Sequence, residues 1–69
     1  MQRHFRSDRV AWTVRVQTRP PAIRFRSAFH ELRLLRLDPP ELPSGDQLAA
    51  APETQLRDWL ARSRLELRS

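Results

Sequence analysis

From Arg9 to Gln17 the side chains alternate. Val10, Trp12, Val14 and Val16 take one phase, and Ala11, Thr13, Arg15 and Gln17 the other. A period of two, carried by β-branched and aromatic residues, is the pattern of a half-buried strand. A strand with one apolar face needs neighbours in a sheet and a layer to cover that face, so this stretch commits the chain to a sheet. Thr18-Arg19-Pro20-Pro21 ends it, because proline donates no ladder hydrogen bond and holds the preceding residue extended. Ala22 to Ser27 reads as a second strand, with Ile23 and Phe25 in one phase and Arg24 and Arg26 in the other. The two strands are expected to form an antiparallel hairpin across a longer, proline-containing loop.

Residues 29–37 fit two periods. Arg33 and Arg36 stand three apart, as on a helix, yet Leu32-Arg33-Leu34-Leu35-Arg36-Leu37 also fits a strand with a bulge. The strand is favoured, because the stretch is short, closely follows another strand and stops at Asp38-Pro39-Pro40. A bulge places Leu32 and Leu34 inward, shifts the phase so that Leu35 or Leu37 also faces inward, and leaves Arg33 and Arg36 both outside. Ser27 to Glu31 is then a second hairpin turn. Residues 38–43, Asp-Pro-Pro-Glu-Leu-Pro, read as a stiff spacer; a proline-rich ligand for an SH3-type domain is the weaker reading, since no basic anchor lies nearby.

Helical signals begin at Ser44. Ser44 and Gln47 have capping-box spacing, and Asp46 lies in the first turn, where the helix dipole favours an anion. Pro52 suits the first position of a second helix, on which Leu56, Trp59 and Leu60 make one apolar face. Glu53 with Arg57, and Asp58 with Arg62, are acid-first i,i+4 pairs. Leu65-Glu66-Leu67 alternates, as a frayed end or a short edge strand would. The expected fold is α+β. Residues 9–37 form a three-stranded antiparallel meander, 38–43 connect, and 44–64 supply a short and a longer helix packed on one sheet face. Residues 1–8 are expected to be a flexible start to a single domain spanning 1–69. The expected core is Val10, Trp12, Val14, Val16, Ile23, Phe25, Leu32, Leu34, Leu37, Leu48, Leu56, Trp59 and Leu60.

A core of this size in 69 residues supplies only about 3–5 kcal/mol. The chain holds no cysteine, so neither disulfides nor a thiolate zinc site can add to it. His4 and His30 cannot make a structural zinc site without carboxylates. No cofactor and no metal are expected, and association remains as the source of further stability. No apolar signal segment and no apolar run long enough to span a bilayer are present, so the default expectation is a cytoplasmic protein with no membrane insertion. The C-terminal helix mixes Glu53 and Asp58 with its arginines, unlike a cationic membrane-surface helix.

The net charge is +5, and all 13 basic residues are arginine. Nine of them fall in residues 1–36 against Asp8 and Glu31, a balance of +7; residues 37–69 balance at −2. If helices cover the apolar sheet face, the other face carries Arg15, Arg24, Arg26, Arg33 and Arg36 with Thr13 and Gln17. These five arginines are the candidate partner-binding residues. Arginine is enriched at protein interfaces, so the expected function is a non-enzymatic accessory or adaptor protein that docks on a larger protein or on itself. Leu56 and Trp59 are the other candidate contact surface. The alternative is a small basic protein that binds RNA or single-stranded DNA. Stacking aromatics are short on that face, which weakens this alternative. Catalysis is not expected. The single glycine, Gly45, rules out a glycine-rich phosphate loop, and no serine is paired with a base in sequence.

Overall fold

The alternating segment becomes the second strand of a five-stranded antiparallel meander. The computed structural model describes residues 2–66, with strands β1 (Gln2–Ser7), β2 (Val10–Thr18), β3 (Pro21–Ser27), β4 (Leu32–Arg36) and β5 (Arg64–Leu65). Their order in the sheet is the order in the chain. Helices α1 (Gly45–Ala50) and α2 (Glu53–Arg62) lie between β4 and β5 in sequence. The molecule is thus a small α+β fold, with five strands where three were expected. No helix among the described residues is long and apolar enough to cross a membrane.

The first added strand is β1, where a flexible start was expected. Its partner is β2, with Phe5 opposite Trp12 and Arg3 opposite Val14. The connecting residues Asp8 and Arg9 both have positive φ, 53° and 67°. That is the two-residue turn whose twist suits a hairpin, made here without glycine. The β2–β3 connection is also only two residues. Thr18 pairs with Pro21, and the Arg19–Pro20 bond is cis, so the longer loop that was expected is a tight turn.

The third hairpin is organised by one side chain. Ser27 Oγ accepts from the amides of Phe29 at 3.1 Å and Glu31 at 2.9 Å, while Ser27 N donates to Glu31 O at 2.9 Å. His30 takes the positive-φ position, 68°. Phe29, at the tip, is 78% exposed.

Residues 32–36 are a strand, as favoured, but a regular one. The register runs without interruption, with Ile23 opposite Leu35, Arg24 opposite Leu34, Phe25 opposite Arg33 and Arg26 opposite Leu32. Without a bulge the phase is the reverse of the expected one at residues 32–34, while Arg36 is outside and Leu35 and Leu37 are inside. Leu35 shares the face of Ile23 and Phe25, and Leu32 and Leu34 share the face of Arg24 and Arg26. Leu35 and Leu37 are buried, whereas Leu32 and Leu34 are only half-buried. The apolar layer beneath the helices prefers the pair that leads unbroken into the connector, Leu35 and Leu37.

The core lies between the sheet and the helices: Phe5, Trp12, Val14, Ile23, Phe25, Leu35, Leu37, Leu48, Leu56 and Leu60. Val10, Val16, Leu42, Ala51 and Trp59 pack at its margin. Phe25 stands edge-on to both Phe5 and Trp12, with ring centroids 6.3 and 6.5 Å away, the geometry aromatic pairs prefer. The proline-rich connector is not an extended spacer. Glu41 N donates to Asp38 O at 2.9 Å, and the resulting turn brings Leu42 and Pro43 against the body of the fold. At Ser44 both bonds of the capping box form. Pro52 is the N-cap of α2 rather than its first residue, an offset of one position.

Candidate docking face on the open side of the sheet

Alternation along five strands sorts the arginines by phase. On the open face β1 places Gln2, His4 and Arg6, β2 places Ala11, Thr13, Arg15 and Gln17, and β3 places Ala22, Arg24 and Arg26. The last two strands add Leu32, Leu34, Arg36 and Arg64. Four of the five expected site residues are therefore here: Arg15, Arg24, Arg26 and Arg36. Arg33 is not. It lies opposite Phe25, on the face that the helices cover.

The covered-face arginines do structural work at the helix ends. An α-helix leaves its last four carbonyls without intrahelical partners. Arg33 Nη2 donates to Ser63 O at 2.9 Å and its Nε to Ser63 Oγ at 2.8 Å, while Nη1 meets Glu31 Oε2 at 3.1 Å. Ser63 is the C-cap of α2, and its hydroxyl donates in turn to Leu60 O. Arg3 does the same for α1. Its Nη1 donates to Leu48 O at 3.3 Å, Ala49 O at 2.9 Å and Ala51 O at 2.7 Å. A positive charge at a helix C-terminus also complements the macrodipole.

Among the described residues, one open-face arginine has its side chain engaged. Arg24 Nη1 donates to Gln17 Oε1 at 3.2 Å, and its Nη2 lies 3.4 Å from Glu66 Oε1. Glu66 follows β5, and its amide donates to Leu32 O at 2.8 Å. Arg15 stands directly opposite Arg24, a like-charge placement that costs stability. Arg15, Arg26 and Arg36 are exposed and form no ion pair among the described residues. Gln2, Thr13, Arg15, Arg24, Arg26 and Leu32 line a shallow hollow of about 290 Å³.

Thr13 Oγ1 and His4 Nδ1 are 3.1 Å apart, the spacing of a nucleophile and a base. Both sit on the exposed sheet surface, and no described side chain orients the imidazole from its other nitrogen. No three His, Asp or Glu side chains gather as metal ligands among the described residues. The other expected contact surface, Leu56 and Trp59, belongs mostly to the core: Leu56 is fully buried and Trp59 half-buried.

Arg6, Arg64, His4, Leu32 and Leu34 were not expected on this face. β1 carries one apolar residue, Phe5, so its alternation gave no signal. The phase of β4 was legible only from its end, where Leu35 and Leu37 run into the prolines. Comparison with family models, curated proteins and solved structures gives no match to this chain.

Proposed function

We propose that this chain is a non-enzymatic accessory protein that docks on a larger protein through the open face of its sheet. The observation that carries the reading is the phase of β4. It sets half-buried Leu32 and Leu34 opposite Arg26 and Arg24, beside Arg15, Arg26 and Arg36, which form no ion pair among the described residues. Arginine around an apolar centre is the composition of a protein interface, in which a few residues bury fully and carry most of the affinity. A face made only to stay solvated has no need of two leucines there. The strands of this face carry no Phe, Tyr or Trp and one imidazole, His4, which favours protein over single-stranded nucleic acid, held largely by stacking.

The test is a chain carrying Arg15→Ser, Arg26→Ser and Arg36→Ser. It is expected to keep the circular dichroism spectrum and cooperative melting of the original and to lose the protein that the original retains on purification from its own cells. Retention of the same protein by both chains would overturn the reading. Sedimentation of the isolated chain separates self-association from docking on another protein. Titration with a labelled oligothymidylate at low salt addresses nucleic acid; tight binding with a steep salt slope would replace the proposal.

A further inference from the structure

We propose that the hollow bounded by Arg15, Arg24, Arg26, Thr13, Gln2 and Leu32 is a carboxylate-binding subsite for an acidic, extended segment of a protein partner. This inference rests on the docking role proposed for the open face and names the chemistry of what docks.

Three guanidinium groups rise from adjacent positions. Arg15 and Arg24 are direct cross-strand partners, and Arg26 follows Arg24 by two residues on the same strand, opposite Thr13. Cross-strand partners have Cβ atoms about 4.5–5.5 Å apart, and diagonal neighbours lie within reach of long side chains. All three therefore surround one hollow. In a chain of net charge +5, such a convergence raises the local concentration of anions. The Thr13 hydroxyl and the Gln2 amide add neutral donors, and Leu32 supplies an apolar wall.

The choice of a carboxylate follows from a contact the molecule already makes. Glu66, presented beside β5, places its carboxylate at Arg24. One carboxylate delivered from an extended backbone is thus accommodated at the rim of the hollow. Arg15 and Arg26, exposed on the same pair of strands, have no such partner among the described residues. Planar guanidinium forks match carboxylates in bidentate fashion. An extended segment turns alternate side chains to one surface. Acidic residues spaced by two therefore reach the arginines from one side of the segment. Glu66 competes for Arg24 and so weakens the subsite in the resting protein.

The probe is a fluorescein-labelled peptide of six alternating Glu and Leu residues, titrated by anisotropy against the full chain, with the Gln-Leu peptide of the same length as control. The Glu peptide is expected to bind and the Gln peptide to bind at least about tenfold more weakly, in keeping with the loss of two or more charge-assisted contacts. Arg15→Gln and Arg26→Gln are each expected to lower affinity by about fivefold. Glu66→Gln is expected to raise it, by freeing Arg24. Equal binding of the two peptides, or indifference to both arginine substitutions, would overturn the subsite. Tighter binding of an oligothymidylate than of the Glu peptide, lost with the same substitutions, would also overturn it in favour of phosphate. The docking role fails separately: it falls if the triple-serine chain keeps its partner, and it stands if that partner is lost while the peptides bind alike.

Discussion

Arg33 and Arg36 are three residues apart and have opposite duties. Arg33 holds the end of α2 through Ser63, and Arg36 faces solvent across from Ala22. Replacing each by methionine keeps most of the side-chain stem and removes the charge. Arg33→Met is expected to lower stability by about 1.5–3 kcal/mol, because charge-assisted bonds are lost and the Ser63 carbonyl is left without its partner. Arg36→Met is expected to change stability by less than about 0.5 kcal/mol. Urea unfolding of the two variants reads the difference, and equal effects would contradict the phase of β4. Arg9 offers the reverse case. A residue with a Cβ pays about 1–2 kcal/mol at φ 67°, and glycine gives back about 0.5–1 kcal/mol of that as unfolded-state entropy. Arg9→Gly is therefore expected to stabilise the chain by about 0.5–1 kcal/mol, seen as a melting point a few degrees higher.

Helix α1 spans six residues, far too few to be stable alone in water. It persists because Leu48 is buried, Ser44 caps its start and Arg3 caps its end. Ser44→Ala is expected to cost about 1 kcal/mol. Arg3→Met is expected to speed amide hydrogen exchange at Leu48 and Ala51 and to leave α2 unchanged, which separates a local cap from a global loss. The start of α1 was legible in the sequence, since Ser44 and Gln47 are local neighbours. Its end was not, because the capping group comes from a residue 45 to 48 positions away. The same distinction runs through the other elements. β2, β3 and the apolar face of α2 declare themselves by a period that any short window contains. β1 and the phase of β4 are decided by which residues meet the helices, and a strand with a single Phe or with Leu in both phases does not record that choice. Of the candidate face, Arg15, Arg24 and Arg26 were legible because β2 and β3 alternate clearly, whereas Arg36 was placed there through a bulge that the regular strand does not contain. Leu32 and Leu34 were not legible, because leucine on an exposed face looks like core until the register is known.

The molecule as a whole gathers like charges on the open face of its sheet, at some cost to itself. Arg15 faces Arg24, with Arg26 and Arg36 nearby, and one carboxylate answers them among the described residues. Salt should relieve this. Raising ionic strength from about 0.01 to about 0.15 M shortens the Debye length from about 30 to about 8 Å. A gain of about 0.5 kcal/mol, or roughly 2–4 °C in melting temperature, is expected. The triple-serine chain should gain less, and a melting point that falls with salt in both chains would show that repulsion on this face is not felt. The two guanidinium contacts beneath the sheet have the opposite character. Hydrophobic attraction by itself carries no directional preference. Arg3 and Arg33 reach from the first and fourth strands to the ends of different helices, and each bond has a required angle. Together they act as two dowels that set the bearing of the helical layer on the sheet. Exchanges among Leu, Ile and Met at positions 48, 56 and 60 should therefore soften the interior without rotating one layer against the other.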